Sequence, residues 1–248
     1  PIDPPDSYDA AEPDPDRIAA AAKLLGEARN PLIFAGGGAI DAGADLLLLA
    51  ELLQAPVVMS RGALGAIDSR HPLALTPPHG HKLWKDADVV LGIGTRLVPM
   101  VPGWGSDDGL KFVRLDIDAE EMGRSHTPDV AIHADAALGL AALSAAVPGH
   151  NRRRADRTDD MIALKADVQR EFDKLDPQVP ILNAIRRALP EDGIFVEELT
   201  QPGYVARMAF PVYRPRTYIN PGYQGTLGFG FPTSLGVKVA NPDKEVVS

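Results

Sequence analysis

The sequence predicts an α/β protein: a parallel sheet covered by helices, followed by the incomplete opening of a second α/β unit. Three observations carry this. Short apolar runs such as "PLIFA", "APVVM" and "KFVRLD" alternate with longer Ala/Leu-rich stretches, as strands buried on both faces alternate with crossover helices. Glycines cluster directly after several of these runs, at Gly36 to Gly38, at Gly92 and Gly94, and from Gly225 to Gly230. The rhythm breaks once, at "PGHNRRRADRTDD", and then restarts.

Taken in order, Pro15 to Arg29 reads as a helix with Asp16 in its first turn. "PLIFAGGGAI" is a strand and a glycine turn, with Asp41 placed to cap a helix running through Gln54. "APVVMS" is the next buried strand. "HGHKLWKDADVVLGIGTRL" gives a short helix, a strand over Val89 to Ile93 and a second glycine turn. "LKFVRLDID" is a strand ending in acids, and "DVAIHADAALGLAALSAAV" a strand and an Ala/Leu helix. After the break come helices over Met161 to Leu175 and Pro180 to Leu189, the strand "GIFVEEL", a helix through Ala209 and the strand "RTYIN". Gly225 to Ser248 then begins a further βαβ step. The expected organisation is a linker over 1–13, a Rossmann-like, nucleotide-binding-type domain over 14–148, a linker over 149–160, and the truncated N-terminal part of a second domain over 161–248.

Composition narrows the classes of partner. The 248 residues are 45% apolar and 24% charged, with 25 Lys+Arg against 34 Asp+Glu and a net charge of −9. That balance disfavours nucleic acid and anionic membranes. The one basic cluster, "NRRRADR", has no interleaved aromatics and reads as a solvated linker. There is no cysteine, hence no disulfide framework and no thiolate zinc site, and a reducing cytoplasm is the expected setting. No apolar run approaches the roughly 18 residues of a membrane span. The acidic, proline-spaced N-terminus resembles an interdomain linker rather than a signal peptide.

The candidate site residues follow the glycine turns. Gly36, Gly37 and Gly38 could let backbone approach a phosphate, or simply close a tight strand-to-helix turn; the run is not GxGxxG. Arg96 suits a bidentate grip on phosphate or carboxylate, or a surface ion pair. Asp116 and Asp118 end a strand where acids can accept from a ribose, and Asp118 could instead cap a helix over Ala119 to Met122. The histidines, His79 and His81 included, lack metal-ligand spacing and read as surface or loop residues. Neither a GxSxG elbow nor a P-loop is present. Glu197 and Glu198 are strand neighbours and point to opposite faces, which argues against a catalytic dyad. The residues alone lead to two nucleotide-binding-like α/β units in tandem.

The stretch "GYQGTLGFGFPTSLGVKVANPDKEVVS" resembles the start of the diphosphate-binding domain of thiamine diphosphate enzymes of the acetolactate synthase type. "PLIFAGGG", "APVVMSRGALGAIDSRHPLAL", "DADVVLGIGTRL" and "RLDIDAEEMGRSHTPDVAIHADA" resemble the central domain of the same family, in the family's order. The resemblance covers the chain from about Asp14 onward. It implies a thiamine diphosphate- and magnesium-dependent parent enzyme acting on 2-oxo acids, by decarboxylation, carboligation or both. Thr200 and Gln201 would meet the cofactor's diphosphate, although the family's glycine-glutamine-histidine is here Thr200, Gln201 and Pro202. Gly225 would receive the aminopyrimidine on its backbone, and Leu227 would be the apolar wedge that bends the cofactor. Gly36, Gly37, Gly38, Arg96 and Asp116 would be the candidates for FAD or ADP. The resemblance further implies magnesium ligands beyond Ser248, a separate pyrimidine-binding domain and a homodimer or homotetramer. On its own this piece is expected to be inactive. The alternative is a non-catalytic module that binds FAD, ADP or NAD, or that mediates dimerisation.

Overall fold

Residues 10–97, 103–105, 109–124 and 126–248 are described by a computed structural model. Helix α1 (Pro15–Glu27) starts where Asp14 accepts the N–H of Asp16 at 2.8 Å, with Pro15 at the first helical position, where its missing N–H costs nothing. Its apolar face, Ile18, Ala21, Ala22 and Leu25, is buried. Its far end is closed by Arg154, whose Nη2 donates to the carbonyls of Leu25 (2.9 Å), Gly26 (2.9 Å) and Ala28 (2.7 Å). The basic cluster is therefore not simply solvated: a guanidinium satisfies carbonyls that a helix end leaves without partners.

The first sheet has six parallel strands in the order β3-β2-β1-β4-β5-β6. They are β1 (Pro31–Ala35), β2 (Val57–Met59), β3 (Ala74–Leu75), β4 (Val89–Ile93), β5 (Lys111–Asp116) and β6 (Val130–His133). Every residue of β1 and β4 is buried, which is why both read as unbroken apolar runs. Strand β3, two residues long, has no counterpart in the sequence reading. Helices α2 (Gly43–Leu53) and α4 (Ala136–Ala146) pack together, with α1 against α4, while α3 (Pro77–Trp84) lies on β2.

One capping expectation is corrected. Helix α2 begins after Ala42, not at Asp41, because Gly37–Ala39 first closes a 3-10 turn. Backbone also crowds Gly43, where an added Cβ would stand 2.0 Å from the carbonyl oxygen of Ala66. Asp41 reaches Arg216 of the second unit instead, at 2.8 Å and 2.5 Å.

The second unit holds α5 (Thr158–Phe172), α6 (Gln178–Ala188), β7 (Ile194–Val196), α7 (Gln201–Ala209), β8 (Tyr218–Ile219), α8 (Gly230–Ala240) and β9 (Val246–Val247). Its three strands are parallel in the order β8-β7-β9, so β7 is central and its carboxyl end is flanked on both sides. The fold class is as expected.

His79 corrects the expectation of surface histidines. It is buried at the third position of α3, and its Nδ1 accepts the N–H of Thr76 at 3.3 Å. The Thr76 hydroxyl in turn donates to the carbonyl of Met208 at 3.0 Å, fastening α3 to α7. Burial pulls His79 down to about 4, and the charges of Lys165 and Lys82 push the same way. The folded protein thus holds this imidazole neutral while the unfolded chain protonates near 6.5. The stabilisation is complete above pH 6.5 and is lost as pH falls toward 4. Urea titrations should show a loss of about 2 kcal/mol between pH 6.5 and 5, above the carboxylate range. In His79→Gln that slope should flatten.

Candidate functional site

The strand order of the first sheet reverses between β1 and β4, and ligands of open α/β sheets collect in the crevice at such a point. A cleft of about 280 Å³ lies at this carboxyl edge, and its walls include Gly38, Arg96, Asp116, Asp118, Glu121 and Asp135. Three of the five expected nucleotide-site residues, Gly38, Arg96 and Asp116, are therefore on the cleft. Gly36 and Gly37 are not among its lining residues. A Cβ on Gly36 would stand 2.0 Å from the carbonyl oxygen of Gly94, and Gly94 itself has φ +51°. The Gly36 N–H donates to Ile93 (2.9 Å) and the Gly38 N–H to Gly94 (3.2 Å). The glycines let two loops touch, and two of their three amides are already engaged inside the protein.

The charges around the cleft are also engaged. Arg96 Nε stands 3.5 Å from Glu121, which is nine-tenths buried and also 3.0 Å from Arg124. Asp116 accepts the N–H of Asp118 at 3.1 Å, and Asp118 accepts that of Glu120 at 2.9 Å. Asp118 therefore folds a turn rather than capping a helix. Asp135 caps α4 through the N–H groups of Ala137 and Leu138. Beneath them Arg114, fully buried, donates to the carbonyl of Thr95 at 2.6 Å and lies 3.7 Å from Asp116. Burial lowers its pKa. Sequence reasoning passed over Arg114, although "RLD" places positions 114 and 116 on one face of a strand. Four carboxylates face this cleft, so it favours hydroxyl or amine donors over a second anion.

At the carboxyl end of β7 the paired acids diverge, as the strand alternation requires. Glu197 is wholly buried, accepting from Arg207 Nη2 at 2.6 Å and from the Tyr218 hydroxyl at 2.5 Å. Burial first, and the Glu197 charge next, push the Tyr218 phenol well above its ordinary range. Glu198 turns the other way and accepts the N–H groups of Leu199 and Gly230, both at 2.7 Å. Those bonds hold its carboxyl below the usual range. Because Gly230 is the first residue of α8, the carboxylate sits at a positive helix end.

Thr200 caps α7 by accepting the N–H of Gly203 at 3.2 Å, and Gln201 accepts from Gln178 at 2.8 Å. Gly203 must be glycine, since a Cβ there would lie 1.8 Å from the carbonyl oxygen of Glu198. Gly225, at φ +61°, packs near Leu199, with its virtual Cβ 3.5 Å from the leucine side chain. The structure thus brings Thr200, Gln201, Gly225 and Leu227 to one edge. Leu227 is 76% exposed, between Gly225 and Gly228 at φ +76°.

The two edges meet through contacts that the sequence did not announce. Arg61, just after β2, donates to the carbonyl of Gly222, and Asn220 Nδ2 donates back to the Arg61 carbonyl at 3.2 Å. The Arg96 guanidinium stands over the Tyr223 ring at 5.6 Å. Ser69 shares three hydrogen bonds with Val212: its hydroxyl and its N–H donate to the Val212 carbonyl at 2.8 Å and 3.0 Å, and the hydroxyl accepts the Val212 N–H at 3.0 Å. Lys165 of α5 donates to the carbonyls of Ser69 and His71, and burial brings it down to about 8.

The family model described as thiamine pyrophosphate enzyme, central domain, matches residues 18–143. That described as thiamine pyrophosphate enzyme, C-terminal TPP binding domain, matches residues 200–248. The chain belongs to the thiamine pyrophosphate enzyme family. The large subunit of acetolactate synthase isozyme 1 from Escherichia coli is 32% identical to it over 245 residues, covering 93% of this chain and 42% of that protein. Sulfoacetaldehyde acetyltransferase from Castellaniella defragrans is 30% identical over 268 residues, covering 92% and 45%. A Mycobacterium smegmatis structure assigned to the thiamin diphosphate-dependent enzymes superposes over 98% of this chain and 49% of its own, with TM-score 0.74 and 19% identity. The chain therefore spans less than half the length of the curated relatives it matches.

In this thiamine pyrophosphate enzyme chain the glycine turn over residues 222–228 is largely exposed. A Cβ on Gly222 or Gly228 would meet nothing within 4 Å, so the turn is open at both glycines. Among the described residues no group of three or more His, Asp or Glu side chains could hold a metal ion. Nor does "GGG" fit a diphosphate, with the amides of Gly36 and Gly38 already bonded. The behaviour of Glu197 follows from its burial. Glu197→Ala leaves the partly exposed Arg207 guanidinium without its counter-charge and the buried Tyr218 hydroxyl without its acceptor, and should cost about 1–3 kcal/mol in urea unfolding. Glu197→Gln keeps acceptor capacity and should cost clearly less.

Proposed function

We propose that this chain supplies the central unit and one wall of the cofactor site of a thiamine diphosphate- and magnesium-dependent enzyme that acts on 2-oxo acids. Its reaction would be decarboxylation, joining of the retained carbon unit to a second carbonyl, or both. The observation that carries the reading is the exposed Leu227 between two glycines of positive φ, in a turn whose Gly225 lies against Leu199 next to the Thr200 cap at the carboxyl end of β7. When bound, the cofactor supplies a nucleophilic carbon and an electron sink. The chain's own residues would do the positioning: the Gly225 backbone would receive the aminopyrimidine, Leu227 would support the cofactor, and the amino end of α7 at Thr200 and Gln201 would hold the diphosphate.

The remaining contacts, magnesium ligands included, are assigned to residues outside this chain and to a pyrimidine-binding domain. The exposed face of α8 supports that assignment. Phe231, Leu235 and Val239 recur every four residues and are 71%, 54% and 83% exposed, an apolar stripe of the kind that another protein surface covers. A homodimer or homotetramer in the cytoplasm is the assembly proposed. A second reading gives the central unit FAD or ADP, whose ribose hydroxyls would suit the carboxylate-lined switch-point cleft. It requires the diphosphate to lie away from Gly36 to Gly38.

The test is the enzyme expressed from its complete reading frame. Carbon dioxide release from 2-oxo acids should depend on thiamine diphosphate and magnesium, and turnover independent of both would refute the assignment. Leu227→Ala should lower kcat by about 100-fold through misorientation while leaving the melting temperature unchanged. The 248-residue chain should bind thiamine diphosphate with magnesium more weakly than micromolar by calorimetry. Tighter binding would show that the chain holds the whole site.

A further inference from the structure

The glycine turn that carries Gly225 and Leu227 has little packing of its own. Gly222, Gly225 and Gly228 all sit at positive φ, and Cβ atoms on Gly222 and Gly228 would touch nothing within 4 Å. Glycines lose more conformational freedom on ordering than any other residue, so such a turn holds one shape only if something outside it does the holding. Its downstream end is fixed by Glu198, which accepts the Gly230 N–H. Its upstream end is fixed from the other unit. Arg61 donates to the Gly222 carbonyl, Asn220 returns a hydrogen bond to the Arg61 carbonyl, and the Arg96 guanidinium stands 5.6 Å from the centre of the Tyr223 ring.

Both arginines stand on loops that meet at the three glycines after β1. Gly62, next to Arg61, approaches Gly37, with its virtual Cβ 3.3 Å from the Gly37 Cα. Gly94, two residues before Arg96, lies against Gly36 and Gly38, where added Cβ atoms would come within 2.0 Å and 2.9 Å of its backbone. A side chain at Gly36 or Gly38 would push the loop after β4 away and move Arg96, and one at Gly62 would press on Gly37 beside Arg61.

We propose that Arg61 and Arg96 are positioning residues for the cofactor turn Gly222 to Gly228, and that Gly36 to Gly38 is the spacer that sets where they stand. The proposal deepens the thiamine diphosphate reading and rests on it for the importance of the turn. The central unit then serves the reaction as a template: it fixes the carbonyl of Gly222 and the ring of Tyr223, and Gly225 and Leu227 follow within a few residues. The "GGG" motif acts on a cofactor it does not touch.

The experiment uses the 248-residue chain without cofactor and reads amide hydrogen exchange by mass spectrometry, with the amide resonances of Gly225 and Leu227 as a second readout. In Arg61→Ala, exchange over residues 221–228 should accelerate about tenfold or more, as expected when a charged hydrogen bond that anchors a loop is lost. Exchange in β1 and β4 and the urea midpoint should stay as in the parent. Arg61→Lys keeps a donor and should restore most of the protection and return the Gly225 and Leu227 resonances toward their original positions. Arg96→Ala should shift the same two resonances. The proposal is overturned if residues 221–228 already exchange at the unprotected rate in the parent. Resonances and exchange unmoved in Arg61→Ala, or acceleration spread evenly over the chain, would overturn it as well. None of these readouts involves thiamine diphosphate, so their failure leaves the cofactor reading standing. A cofactor-independent parent enzyme would remove that reading while leaving the clamp intact.

Discussion

The contact between Gly36 and the carbonyl of Gly94 is the constraint around which the carboxyl edge of the sheet is arranged. Two parallel strands can place their following loops this close only if no side chain stands between them, and an added Cβ would come within 2.0 Å of an oxygen. Once the loops touch, the Gly36 and Gly38 amides complete the ladder between β1 and β4. The cleft opens on the β4 side, and Arg96 forms its wall with a reach to Tyr223. The switch point that elsewhere serves as a ligand crevice here also serves as a joint between units.

Charge is handled differently at the two edges. In the first unit a buried guanidinium, Arg114, lies under a rim of carboxylates, and its positive charge offsets part of their mutual repulsion. In the second unit a buried carboxylate, Glu197, is matched by Arg207 and Tyr218, and its neighbour Glu198 lies on the amino end of α8. Both arrangements sit toward the carboxyl ends of strands that are paired on both sides. Breaking either pair would strand a charge away from water, which costs more than the pair contributes.

Much of this fold was legible. Strand β4 coincides with the apolar run Val89 to Ile93, and the helix boundaries fall within a few residues of those read from caps and prolines. Periodicity does that well because burial on both faces of a strand leaves no alternative composition. What stayed hidden depends on distant partners. Asp41 looked like a cap because its spacing was right, yet Arg216 lies 175 residues away in sequence. His79 looked like a loop histidine because nothing local shows that Phe172 and Met208 close over α3. At the site, the family motif located Gly225 and Leu227. The same motif could not show that Arg61 reaches Gly222 across 161 residues, since that depends on how two units dock and not on a spacing.

Arg154 has a consequence of another kind. Three basic residues stand together at 152–154, but only the last has its guanidinium spread over three carbonyls of the α1 terminus. A protease that cuts after arginine must draw that side chain into its own specificity pocket. At Arg154 it would first have to unfasten the helix end, whereas Arg153 is exposed on the surface. The connection between the units is therefore graded in its vulnerability: accessible at one peptide bond and shielded at the next, because one of two neighbouring arginines closes a helix.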